Sequence, residues 1–218
     1  EAIATAELKD HDISDAVLRS LRDKNLIETC TLQQSSQAAH SAQGLALNEE
    51  QTTALQALQQ AGQGFSCHLL EGVTGSGKTE VYLQLIADCL QREQQALVLI
   101  PEIGLTPQTL ARFRQRFTAN IAVLHSGLSD AQRNLAWEDA RSGNAHIVIG
   151  TRSAIFTPLH RPGLIIVDEE HDASYKQQDG FRYSARDVAV KRAQLHNCLV
   201  LLGSATPSLE SVANVLSG

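Results

Sequence analysis

A chain of 218 residues has room for one large or two small domains, and 43% hydrophobic with 4% aromatic residues is the make-up of an ordinary α/β protein with a sizeable core. A formal charge of −6 and a pI near 5.7 exclude a protein that holds nucleic acid by bulk electrostatics, and so restrict any DNA contact to a focused site. No apolar run approaches the ~20 residues that span a bilayer, and Glu1-Ala2-Ile3-Ala4 lacks the basic and apolar regions of a secretory signal. A cytoplasmic protein without a membrane partner is expected.

Cys30, Cys67, Cys89 and Cys198 are scattered with no C-x-x-C pair, which gives neither zinc-ligand spacing nor a disulfide framework; they are expected to be small buried apolar residues. Residue 1 is not Met, and the chain reads as an excised fragment.

Residues 1–33 read as helix, turn, helix and strand, the pattern of a partial winged-helix unit. Ser14 is the expected N-cap of a helix over 15–24 with Ala16, Val17, Leu18 and Leu21 as its apolar stripe. Its Lys9, Arg19, Arg22 and Lys24 face seven carboxylates, which favours domain docking over reading a DNA groove. Residues 34–44 are Gln/Ser-rich without apolar period and form the expected linker, so that 45–218 is a second domain. A helix to about Gln60 follows, with Asn48 as N-cap and Gln51 in the capping-box position. The Gln51 amide carries a donor and an acceptor, which suits the edge of adenine, alone or together with the cap.

Gly72-Val73-Thr74-Gly75-Ser76-Gly77-Lys78-Thr79 fits the phosphate-binding pattern G-x-x-x-x-G-K-[ST] at every required position. The glycines let backbone N–H groups converge on phosphates, Lys78 reaches the same anion, and Thr79 offers its hydroxyl to Mg²⁺. An apolar strand over 65–70 precedes the loop and a helix over 80–91 follows, so the helix N-terminus adds its dipole. Binding of ATP with Mg²⁺ through Gly72, Thr74, Gly75, Ser76, Gly77, Lys78 and Thr79 is expected.

Strands over 96–100, 121–125, 146–150, 164–167 and 198–202 then alternate with helices over 106–117, 129–141, 184–195 and from 207. The pattern implies a mostly parallel sheet covered on both faces, with active groups at its carboxyl edge. Arg112 and Arg116 share a helix face read as solvated, and Trp137 is read as core. The strand at 164–167 runs into Asp168-Glu169-Glu170-His171. Here Asp168 is the expected metal ligand and Glu169 the group that polarises the attacking water, with Lys78 completing the catalytic set. Gly203-Ser204-Ala205-Thr206-Pro207 ends the next apolar strand in small hydroxyl residues that suit a coupling element, in particular Ser204 and Thr206.

Residues 175–183 hold three aromatics and two cations, the chemistry of a single-strand site. Tyr175, Lys176, Phe181, Arg182 and Tyr183 are expected to sense DNA and, through His171, to position Glu169. Thr106, Thr151 and Arg152 lie at strand-to-helix junctions where hydroxyls and N–H groups hold DNA phosphates with little net charge.

Together with the blocks at 71–82, 101–108, 125–129, 150–156, 168–177 and 203–208, these motifs resemble those of superfamily 2 helicases, most closely the bacterial replication-restart branch. The resemblance implies a RecA-like P-loop three-layer α/β lobe, preceded by the partial winged-helix unit, within an ATP-dependent DNA helicase that moves 3′ to 5′. Stalled forks and single-stranded DNA would be its substrates, and primosome proteins and single-strand-binding protein its partners. It also implies parts not seen in this chain: an amino-terminal domain capturing DNA 3′ ends, a second motor lobe with arginines, a zinc-binding insertion and a C-terminal domain. A double-strand translocase would share every ATP motif, and an isolated fragment could act as a docking module.

Overall fold

The structure, a computed structural model, describes residues 14–24, 44–61 and 64–217. The chain divides into two compact units, Glu1–Ser36 and Gln37–Gly218. In the first, the described element is helix α1 (Asp15–Asp23), in which Leu18 is buried and Val17 half exposed. The remaining helix, turn and strand of the expected winged-helix unit, and Cys30, lie outside the described residues.

The second unit is built on one six-stranded sheet, all of it parallel. Its strands are β1 (Ser66–Glu71), β2 (Gln95–Leu99), β3 (Ile121–Leu124), β4 (Ile147–Gly150), β5 (Pro162–Val167) and β8 (Leu199–Ser204), in the spatial order β1-β8-β5-β2-β4-β3. Strands β2, β4 and β5 read as unbroken apolar runs because both faces are covered, leaving no polar face to alternate with.

Two cores flank the sheet. On one face Leu97, Ile165 and Val200 pack beneath Ala136 and Ala140 of α5 (Asp130–Ser142) and Ala185, Ala189 and Ala193 of α6 (Ala185–His196); these alanines let the helices lie close. On the other, Val98, Ile149 and Ile166 meet Val81, Leu85 and Ile86 of α3 (Lys78–Gln91) and Phe113 of α4 (Pro107–Arg116), with Leu58 of α2 (Glu49–Gln60) at the margin. This is the three-layer α/β fold that the motifs imply.

The helix ends follow local chemistry. Asn48 caps α2 and forms a capping box with Gln51, Thr106 caps α4 ahead of Pro107, and Ser129 forms a second capping box with Gln132. Gln95, buried at the start of β2, has its whole amide satisfied. Nε2 donates to the carbonyls of Ala140 and Ala145, and Oε1 accepts from the N–H groups of His160 and Arg161. A small antiparallel hairpin, β6 (Lys176–Gln177) with β7 (Tyr183–Ser184), stands apart from the main sheet, and α7 (Leu209–Ser217) ends the described chain.

Two expectations about burial are corrected. Trp137 is 41% exposed because α5 rests on the sheet through Ala136 and Ala140, which turns the neighbouring indole outward. Cys67 is exposed on the edge strand β1, whereas Cys89 and Cys198 are buried, and burial pushes the Cys89 thiol up to about 12. Among the described residues no helix is long and apolar enough to cross a membrane.

Candidate active site

Register brings the motifs together. Glu71 pairs with Ser204, Val167 with Leu202, and Leu99 with both Val167 and Gly150, so β1, β8, β5, β2 and β4 finish at one edge. The Gly72–Thr79 loop, Asp168–His171 and Ala205–Pro207 all emerge there. The Gly72 N–H donates to the Ser204 carbonyl at 3.1 Å, which ties the start of the phosphate loop to the end of β8.

The loop turns through Gly75 and Gly77, both left-handed with φ of 85° and 86°. A Cβ at Gly77 would also come within 2.2 Å of Gln51 Nε2, because that amide nitrogen donates to the Ser76 carbonyl at 2.7 Å. Gln51 Oε1 accepts the Asn48 N–H at 3.0 Å. Its amide therefore ties α2 to the phosphate loop, with one N–H and one lone pair left over for a base.

Lys78 is 9% exposed, and its Nζ donates to the Gly72 carbonyl at 2.7 Å and lies 3.7 Å from Glu169 Oε1. The ammonium thus sits across the loop, near the charge it would neutralise. Lys78, Thr79, Gly75, Asp168 and Glu169 line one cavity of about 770 Å³. Arg112 and Arg116 line it too; Arg112 is exposed, as expected of a solvated face, whereas Arg116 is buried, which corrects that reading for Arg116 alone. A second cavity, of about 570 Å³, opens beside Gly163, Leu164 and Leu199 at the amino ends of the strands and shares none of these groups.

Asp168 closes β5. Its Oδ1 accepts the Tyr82 hydroxyl at 3.0 Å and its carbonyl accepts the Tyr175 hydroxyl at 2.7 Å. Burial holds its carboxyl above the usual carboxylate range, against the lowering effect of the Tyr82 hydrogen bond. Glu169 is left-handed, with φ of 48°, a conformation costing a non-glycine residue roughly 1–2 kcal/mol. Its Oε2 accepts the Ala205 N–H at 3.4 Å and lies 3.6 Å from His171 Nδ1.

Glu170 turns the other way, into the protein. Its carboxylate accepts from the Ser208 N–H at 2.7 Å, the Ser211 hydroxyl at 2.9 Å and Arg186 Nη1 at 3.2 Å. Burial alone would raise its pKa; these bonds bring it below the usual value.

An oxygen-seeking divalent cation fits this chemistry. Thr79 and Asp168 supply hard oxygen donors beside the open cradle at Gly75, as Mg²⁺ sites with few protein ligands and substrate phosphates require. Among the described residues no cluster of three or more His, Cys, Asp or Glu could hold a metal by itself.

The remaining expected residues are spread unevenly. His171, Lys176, Phe181, Arg182 and Thr206 are exposed, Phe181 to 80%, and Tyr183 is half-buried with its ring edge-on to Phe156 at 4.9 Å. Tyr175 is 1% exposed, a correction to its place among base-stacking aromatics, since its hydroxyl reaches inward to Asp168. Thr151 is largely buried, and its N–H donates to the Leu124 carbonyl. Arg152 Nη1 donates to the carbonyls of Ser174 and Lys176 and braces the base of the β6–β7 hairpin. The Thr106 hydroxyl is engaged as the α4 cap. The motifs include Tyr82, Gly203 and Ser208 but assign no individual role to them, nor to Arg186, because those roles depend on long-range approach; the available signal was a tyrosine hydroxyl on an otherwise apolar face one turn after Lys78.

Fold and site together define an α/β lobe with a P-loop, and residues 48–215 match the DEAD/DEAH box helicase family, to which the chain belongs. It is 51% identical over 222 residues to the replication restart protein PriA of Haemophilus influenzae, an alignment covering 97% of this chain and 30% of that protein. With the Bacillus subtilis replication restart protein PriA it shares 43% identity over 224 residues, covering 99% and 28%. The chain therefore spans under a third of the length of these relatives. A structure of RecG bound to a three-way DNA junction shares the fold, with a TM-score of 0.58 and 24% identity over 78% of this chain and 22% of that one.

Proposed function

We propose that this chain is the ATP-hydrolysing lobe of a DNA helicase that acts in replication restart. The observation that carries the reading is the convergence of Lys78, Thr79, Asp168 and Glu169 on one cavity, with Glu169 wired through Ala205 and His171 to the end of β8. The extent of identity to the two PriA proteins supports the restart assignment.

In this reading the backbone of 72–77 and the α3 N-terminus cradle the phosphates, and Gln51 meets the adenine edge with its unused N–H and lone pair. Lys78 leaves the Gly72 carbonyl for the γ-phosphate, and Thr79 and Asp168 hold Mg²⁺. Mg²⁺, when bound, neutralises charge developing on the phosphate oxygens. Glu169 orients water for in-line attack. DNA contacts come from the Lys176–Tyr183 hairpin and from the helix N-terminus at Thr106, with Arg152 as the brace beneath the hairpin. Single-stranded and forked DNA are the proposed substrates, with 3′ to 5′ movement, primosome proteins and single-strand-binding protein as partners, and a cytoplasmic location.

The test is steady-state ATP hydrolysis by the whole polypeptide that carries this lobe, with single-stranded, forked or blunt duplex DNA. Strong stimulation by the first two is expected. Stimulation by duplex alone would replace this reading with a double-strand translocase, and no hydrolysis with any DNA would remove the motor assignment.

A further inference from the structure

Tyr82 lies on α3 one turn beyond Lys78 and Thr79, so all three share the helix face turned toward Asp168. The ring is 2% exposed, and the hydroxyl donates to Asp168 Oδ1 at 3.0 Å. The space for this contact is made by β8. A Cβ built on Gly203 would stand 1.7 Å from the Tyr82 hydroxyl and 2.8 Å from the ring carbon that bears it. No side chain larger than hydrogen at 203 is compatible with the tyrosine where it stands. Gly203 has no positive φ among the left-handed glycines, so its requirement is one of volume, not of backbone freedom.

Asp168 is thereby gripped twice. Tyr82 fixes the carboxylate from the nucleotide helix, and Tyr175 fixes the carbonyl from the foot of the β6–β7 hairpin. With Oδ1 engaged by Tyr82, the other carboxylate oxygen remains for the metal.

We propose that Tyr82 is a positioning residue for the metal-bearing carboxylate Asp168, and that Gly203 is the vacancy that allows it to act. The inference rests on the reading of the cavity as a Mg-nucleotide site. An outer partner that orients a metal ligand typically governs metal affinity by 10–100-fold. Tyr82 also ties the metal ligand at the end of β5 to the helix that carries Lys78 and Thr79.

The test titrates a fluorescent ATP analogue onto the protein, first in chelator and then against rising Mg²⁺, for wild type, Tyr82→Phe, Gly203→Ala and the double variant. Tyr82→Phe removes only the hydroxyl. It is expected to leave metal-free analogue affinity within about twofold while raising the half-saturating Mg²⁺ about tenfold. Gly203→Ala should give the same shift, and the double variant no more than the larger single one, because both break one contact. A merely structural tyrosine would lower the melting temperature without separating the metal-dependent from the metal-free binding. Wild-type Mg²⁺ dependence in Tyr82→Phe, or shifts that add in the double variant, would overturn the inference and leave the nucleotide site standing. Absence of analogue binding by the wild type would overturn both.

Discussion

His171 Nδ1 lies 2.6 Å from Ser204 Oγ, joining the carboxylate turn after β5 to the last residue of β8. Ser204 is fully buried and also accepts the Thr206 N–H at 3.0 Å, so its hydroxyl sits between the 205–207 segment, of which Thr206 is exposed, and the imidazole beside Glu169. Two hydrogen bonds thus link Thr206 to His171, whose Nδ1 lies 3.6 Å from Glu169, and in the proposed reading this route couples the segment to hydrolysis. Ser204→Ala should therefore keep ATP affinity within about twofold and reduce DNA-stimulated turnover about tenfold, the loss of ~1.4 kcal/mol from the transition state. Equal turnover in wild type and variant, measured at saturating DNA, would count against this route.

Glu170 makes the acid limit of stability readable. Its folded-state pKa is depressed, so it contributes stability that is full above the unfolded carboxylate value and is lost as pH falls through the folded one. Glu170→Gln should lower stability by about 2 kcal/mol at pH 7. The difference from wild type should shrink as pH drops below the ordinary glutamate range. Chemical unfolding at pH 7 and pH 3.5 checks the sign.

In the proposed reading the hairpin senses DNA and takes no direct part in hydrolysis. Replacing Phe181 and Arg182 together with alanine, in the whole polypeptide, should raise the single-stranded DNA needed for half-maximal ATPase about tenfold, from the loss of one stacked base and a cation. DNA-independent ATPase should be unchanged, since neither side chain lines the nucleotide cavity. Arg152→Lys should reproduce part of the same defect, because the shorter lysine does not carry a donor to the place where Arg152 Nη1 meets both the Ser174 and Lys176 carbonyls.

Gln51 joins two tasks. Gln51→Ala removes the bond to the Ser76 carbonyl together with half of the α2 capping box, so nucleotide affinity should fall about fivefold to tenfold. The preference for ATP over GTP should narrow if the unused N–H and lone pair meet adenine. Parallel titrations with both nucleotides measure it.

The sheet was legible because its strands are short, nearly continuous apolar runs such as 96–99 and 164–167, each ended by a motif that needs an exposed edge. Caps were legible for a similar reason: Asn48 with Gln51 and Ser129 with Gln132 are contacts three residues apart. The hairpin was not, since its strands hold only two residues each and carry no period. Nor were the contacts between Tyr82 and Asp168, 86 residues apart, or between Glu170 and Ser208, 38 apart, because helical periodicity sorts a tyrosine into the core without saying where its hydroxyl points. Trp137 and Tyr175 were sorted wrongly for one reason. Aromatic character alone does not tell which side of an element faces the sheet.

The most direct measurement is calorimetric binding of Mg-ATP to this chain with and without Lys78→Ala. Saturable one-to-one binding by the wild type, abolished in the variant at unchanged melting temperature, is the predicted result. Equal binding by both proteins would contradict it, since a nucleotide indifferent to Lys78 cannot sit with its phosphates in the loop at 72–79.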